Sequence, residues 1–164
     1  MKALPILLLA TTVFSLSACH QAEAATDLQD WQSNATKDLS SLKAPVRIVN
    51  LWATWCGPCR KEMPEMSEWY GKQKKGSVDM VGIALDSSDN IGKFLKQTPV
   101  KYPIWRYSGN DSREWMKSFG NTVGGLPFTT VEAPKCGHRQ TLLGEVTAKK
   151  LDEAVKTAQA KCRS

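Results

Sequence analysis

Short runs of β-branched and apolar residues alternate along this chain with stretches whose apolar positions recur at helical spacing. The run Val46-Arg47-Ile48-Val49-Asn50-Leu51-Trp52 predicts a buried strand. A helix is expected from about Pro58, early enough in the first turn that its missing N–H costs nothing, and Pro64 is expected to kink it. Residues 78–85 predict a second buried strand, closed by Asp86-Ser87-Ser88-Asp89, which offers N-caps for a helix over 89–97. Residues 102–107 suggest a shorter strand, and Asp111-Ser112 opens a helix through Phe119 that Gly120-Asn121 stops. Pro127 precedes a strand over 128–132, and a turn at 134–137 returns the chain into a strand over 141–146. Thr147 can cap a last helix whose apolar stripe is Leu151, Ala154, Val155 and Ala158. Alternating strands and helices that end in a hairpin and a helix predict an α/β fold, with a mixed central sheet flanked by helices.

The first residues follow another pattern. Lys2 supplies a positive start, and residues 3–16 are apolar apart from Pro5, two threonines and Ser15. That length suits an export signal and falls short of the roughly 20 residues that span a bilayer. Two cleavage readings compete. Leu16-Ser17-Ala18-Cys19 has the order of a bacterial lipobox, which makes 1–18 the signal and Cys19 a lipidated first residue. Ala22-Glu23-Ala24 instead offers an ordinary site that removes 1–24. We take the lipobox as the working expectation, with 19–37 as a tether and 38–164 as the folded domain.

Charge adds little. The formal net charge is +6, with lysines grouped at 72, 74 and 75 and at 149 and 150. Solvated helix ends explain such groups, and no nucleic-acid partner is implied for an exported chain. The five cysteines say more. An oxidising compartment favours disulfides, and setting Cys19 aside leaves two pairs.

Cys56-Gly57-Pro58-Cys59 stands where a strand gives way to a helix. Disulfide exchange needs an attacking thiolate, a second thiol that resolves the mixed disulfide, and access for the substrate sulfur. Free N–H groups and the positive end of a helix dipole lower the pKa of a thiol at the first position. Cys56 is therefore the expected nucleophile and Cys59 the deeper, resolving residue. A zinc half-site or a purely structural disulfide are the competing readings. The spacing C-x2-C-x76-C-x25-C lacks the second close pair of a zinc ribbon, and only His20 and His138 are at hand besides. We expect no metal and no cofactor.

The segment Val49-Asn50-Leu51-Trp52-Ala53-Thr54-Trp55-Cys56-Gly57-Pro58-Cys59-Arg60-Lys61-Glu62-Met63-Pro64 resembles the active-site segment of the TlpA/ResA-like branch of the thioredoxin superfamily. The resemblance covers roughly residues 40–160. It implies a thioredoxin fold with a central αβ insertion, matched by the strand and helix of 78–97 and by Tyr102-Pro103. It also makes Gly125-Leu126-Pro127 the segment of the superfamily's cis-proline, with the Leu126 backbone facing Cys56 to pair with a substrate strand. Without the resemblance, Pro127 is only a trans proline that starts a strand. Trp52 and Trp55 are expected to form an apolar rim, with Trp55 covering a docked substrate, although a core tryptophan reads the same in sequence. Glu62 matches a glutamate that this branch places near the cysteines as an acid/base; a solvated helix glutamate reads identically. Asn50 stands where cytosolic thioredoxins carry a buried aspartate, which leaves Glu62 as the nearest candidate for that task.

Cys136 lies in the expected turn and Cys162 near the chain's end. A strand over 140–146 rises about 23 Å and a helix over 147–162 returns about 24 Å, so the two cysteines should meet in a structural disulfide. Free thiols or a second redox relay are the other readings. His138 is read as a solvent-facing turn residue.

The function implied is a periplasmic, lipid-anchored, monomeric protein-disulfide reductase. Its electrons would come from a membrane thiol-reductant transporter and go to a disulfide-containing exported protein. Apocytochrome c, as in cytochrome c maturation, or a copper-site assembly protein are the clients considered. A disulfide oxidase or isomerase, or a Cu(I)-handling module, are the alternatives.

Overall fold

A computed structural model describes residues 27–163. The export signal, both cleavage readings and the lipidation of Cys19 fall outside the described residues. In chain order the elements are β1 (Leu28–Asp30), β2 (Val46–Trp52), α1 (Gly57–Gly71), β3 (Val78–Ala84), α2 (Ser88–Gln97), β4 (Ile104–Tyr107), α3 (Ser112–Ser118), β5 (Phe128–Ala133), β6 (His138–Leu143) and α4 (Ala148–Lys161). Two short 3-10 turns, Leu39–Ser41 and Pro134–Cys136, complete them.

The strands form one mixed sheet in the order β1-β4-β3-β2-β5-β6. β2, β3 and β4 run parallel, while β1, β5 and β6 pair antiparallel with their neighbours. Central strands covered on both faces read as nearly continuous apolar runs, which is the pattern of β2 and β3. On one face Ile48, Trp52, Met80, Ala84, Val131 and Ala133 pack with Met63 and Met66 of α1, Ile91 and Phe94 of α2, and Leu151 and Ala158 of α4. On the other, Val49, Leu51, Val81, Ile83 and Phe128 pack with Met116 and Phe119 beside α3. Successive residues of a strand point to opposite faces. Asn50 therefore shares the α1 face with Ile48 and Trp52.

Helices α2, α3 and α4 each start on the cap their sequence offers. Ser87 accepts from the Asn90 N–H ahead of α2, Asp111 from Glu114 ahead of α3, and Thr147 from Lys150 ahead of α4. α1 continues without a break through Pro64, whose side is exposed. Four expectations change. Residues 28–30, read as tether, are an edge strand against β4 with Leu28 buried, so the folded unit begins ahead of residue 38. The last strand is 138–143 instead of 141–146: Gly144 adopts a positive φ of 86° and ends it, and Val146 is buried beyond the turn. His138 starts that strand, partly buried, with its Nε2 enclosed. The tryptophan pair also splits, Trp52 into the core and Trp55 to the surface.

Candidate functional site

Every candidate residue near Cys56 sits at the end of the sheet where β2 and β3 finish and β5 begins. Leu51 pairs with Phe128, and Phe128 pairs in turn with Leu143, so Trp55-Cys56, Leu126-Pro127 and the end of β6 gather there. Cys56 is the N-cap of α1, with extended backbone at φ −85° and ψ 105°. Its Sγ accepts the Cys59 N–H at 3.2 Å, so a first-turn amide of the helix is aimed at the sulfur. The two cysteines are joined in a disulfide with Cα atoms 5.3 Å apart. Cys59 is fully buried and Cys56 nearly so, which orders them as outer and inner sulfur.

The Leu126–Pro127 peptide bond is cis, Pro127 is buried and Leu126 is half-buried. Trp52 and Trp55 do not form a shared rim. Trp52 is fully buried, its ring 5.3 Å from that of Phe94, whereas Trp55 is 71% exposed beside Cys56. The alternation of β2 dictates the first, and the turn between strand and helix releases the second.

Glu62 lies three residues beyond Cys59 on α1 and is only 3% exposed. One carboxylate oxygen accepts from Asn50 Nδ2 at 2.9 Å and the other from the Val146 main-chain N–H at 2.8 Å. Burial pushes its pKa up to about 7, against the pull of those two donors; the charge of Glu145 adds to the rise and Lys150 opposes it. Asn50 also donates to Thr129 Oγ1 at 3.0 Å. Tyr102 is buried nearby in the same core, and its phenol is held well above the usual range, by burial first and the Glu62 charge second. An acid that titrates near neutrality within a turn of the inner sulfur is suited to moving a proton.

Asp86 is a site residue that the sequence reading passed over. Its carboxylate accepts from both the N–H and the hydroxyl of Thr54, at 3.2 and 2.5 Å. It also accepts from the Ser87 N–H and from Asn90 Nδ2, each at 2.8 Å. Burial pushes the Asp86 pKa up, yet the hydrogen bonds from Thr54, Asn90 and Ser87 outweigh it and hold the carboxyl below its ordinary value. The signal lay in the register: Trp52 pairs with Ala84, so Thr54 and Asp86 leave parallel strands side by side.

Cys136 and Cys162 are bonded at the far end of the sheet, with Cα atoms 5.2 Å apart and both residues exposed. Among the described residues no group of three or more His, Cys, Asp or Glu is placed to hold a metal ion. No helix among them is long and apolar enough to cross a membrane.

Comparison with known proteins gives a consistent picture. The Redoxin family model matches residues 14–132. The thiol-disulfide oxidoreductase ResA of Bacillus thuringiensis subsp. konkukian is 36% identical over 120 residues, 73% of this chain and 66% of that protein. The match thus spans just under two thirds of that relative's length. A thioredoxin-related protein from Neisseria meningitidis serogroup B is 73% identical in its crystal structure, with a TM-score of 0.79 over 81% of this chain and 98% of that one. StoA from Bacillus subtilis is 26% identical, with a TM-score of 0.56 over 68% and 83%. The fold is the mixed α/β thioredoxin-like fold, and the chain belongs to the Redoxin family, among relatives of the ResA type.

Proposed function

We propose that this chain is an extracytoplasmic protein-disulfide reductase working through Cys56 and Cys59. The observation that carries the reading is the sulfur pair itself. The outer Cys56 caps a helix and receives the Cys59 amide, while the inner Cys59 is buried in the core and the buried Glu62 follows three residues later on the same helix.

In the reduced protein the Cys56 thiolate, favoured by the helix terminus, attacks one sulfur of a client disulfide. The client S–S bond breaks, a Cys56–client bond forms, and the departing client thiolate takes a proton. Glu62 then accepts the Cys59 proton, and the Cys59 thiolate attacks Cys56 Sγ. The Cys56–client bond breaks as the Cys56–Cys59 bond forms, and the second client sulfur leaves as a thiolate that takes a proton. Two electrons have passed to the client, and the pair is left in the oxidised state described above. Leu126 and Trp55 flank the outer sulfur as the place where an extended client segment rests. Renewed turnover requires a thiol donor, for which a membrane thiol-reductant transporter is the fitting class, with Cys19 as the lipid tether. Clients are disulfide-bearing exported proteins, among them apocytochrome c or copper-site assembly proteins.

Replacing Cys59 with alanine tests this directly. Cys59→Ala should accumulate a stable Cys56 mixed disulfide with its client, and the native protein should speed insulin reduction by a dithiol. No trapped adduct and no acceleration would reject the exchange reading. A reduction potential at the strongly oxidising end, near −120 mV, would reverse the direction of electron flow.

A further inference from the structure

Beside the cysteine pair lies a cleft of about 180 Å³ lined by Thr54, Arg60, Lys93, Phe94 and Gln97. Thr54 precedes the outer cysteine by two residues, and Arg60 directly follows the inner one, its N–H donating to the Cys56 carbonyl at 3.2 Å. The opposite wall belongs to α2. The cleft therefore adjoins the segment that carries the cysteine pair.

The lining is cationic and lacks internal neutralisation. Among the described residues, neither Arg60 nor Lys93 has a carboxylate oxygen within 4 Å, although both are exposed. Two acids of neighbouring segments are engaged elsewhere. Asp86 is turned to Thr54, Ser87 and Asn90, and Glu145 pairs with Lys61 at 2.9 Å. Asp89, four residues before Lys93, lines a separate recess together with it but makes no ion pair with it within 4 Å. The Arg60 guanidinium rests over the Phe94 ring at 5.9 Å, and Phe94 is backed in turn by Trp52 at 5.3 Å. The arginine head thus lies on a packed aromatic support at the cleft, and the volume suits one side chain better than a cofactor.

We propose that this cleft receives an acidic side chain of the client, an aspartate or glutamate lying within a few residues of the cystine that Cys56 attacks. This deepens the reductase reading and rests on it. Arg60 supplies a planar fork for the carboxylate, Lys93 a second positive charge, and Gln97 a neutral hydrogen-bonding group at the rim. Helix α2, the central αβ insertion, then takes part in choosing the client.

The test uses the reduced protein with two synthetic peptides that share one intramolecular disulfide, flanked by glutamates in one and lysines in the other. Uncharged 2-hydroxyethyl disulfide serves as reference. At low salt the acidic peptide should be reduced about tenfold faster than the basic one. That ratio should fall towards unity at high salt and in the Arg60→Gln/Lys93→Gln double variant. Taking the ratio removes any effect of the lost charges on the Cys56 thiolate itself. A ratio near one in the native protein, or an unchanged ratio in the double variant, overturns the proposal while leaving the reductase reading intact. Failure to reduce even the uncharged disulfide overturns both.

Discussion

Asn50 Nδ2 donates to Glu62 Oε1 across 2.9 Å, joining the central strand to the first helix between two buried side chains. The Val146 N–H completes the acid's coordination from a turn 84 residues further along the chain. Held between these donors, Glu62 titrates near 7 against 4.5 in an open chain, because burial outweighs them. The native state thus binds this proton more tightly than the unfolded chain does throughout that window. Stability contributed by the neutral acid is fully present below about pH 4.5 and is lost as pH rises through 7. Glu62→Gln removes the titration. Between about pH 4 and pH 8 the variant should gain about 3 kcal/mol relative to the native protein. Asn50 Oδ1, enclosed without a partner, can turn to accept from the new amide. Urea melts at both pH values check this, and an unchanged difference would show that Glu62 does not titrate in that range.

The same variant separates structure from chemistry. Without a base for Cys59, the mixed disulfide should form normally and resolve about 100-fold more slowly. Rapid-quench analysis of the adduct reads the two steps apart; equal slowing of both would place Glu62 outside proton transfer.

Asp86 carries the opposite pH dependence. Its folded pKa lies below the ordinary value, so its contribution is present above the usual carboxylate range and is lost as pH falls through the lowered pKa. Asp86→Ala strips Thr54 of both hydrogen bonds. A loss of about 1–3 kcal/mol at neutral pH is expected, with a smaller loss in acid. Chemical denaturation at two pH values checks it, and insulin turnover should fall with the loosened Thr54-Trp55-Cys56 turn.

Much of this arrangement was readable in the chain, and the failures have physical causes. The central strands announce themselves because both faces are covered, which leaves nearly continuous apolar runs at 46–52 and 78–84. Cys56 and Cys59 were legible because strand, cap and helix are all local. β1 was missed because three residues with one buried leucine carry no period, and their partner β4 lies far along the chain. The final strand was misread because Leu142, Leu143 and Val146 look continuous until Gly144 takes its left-handed turn. That turn is what presents the Val146 N–H to Glu62, so one local error hid half of the acid's environment.

Gly82, in the middle of β3, is where the core leaves no room. A Cβ there would stand 2.8 Å from Ile104 Cδ1 and 3.1 Å from both Trp52 Nε1 and Tyr102 Cε2. All three neighbours are buried, and the two rings cannot swing aside as a flexible chain end would. Gly82→Ala should therefore cost about 1–3 kcal/mol by overpacking. A thermal melt with no change would mean that the Trp52 layer is looser than its packing indicates.

The Cys136–Cys162 bond is expected to act on stability alone. It closes a sequence separation of 26 and ties the end of α4 to the β5–β6 turn. Leu151, Ala154 and Ala158 of that helix pack in the same core as Cys59 and Met63. In the chain-entropy account a loop of this size contributes about 2–4 kcal/mol, by restricting the unfolded chain. Replacing both cysteines with alanine should lower the unfolding free energy by that amount. Reduction of 2-hydroxyethyl disulfide should stay within about twofold of the native rate, since β2 alone separates the two ends of the sheet by about 23 Å. A matching loss of exchange activity in the folded double variant would instead make the second pair a relay.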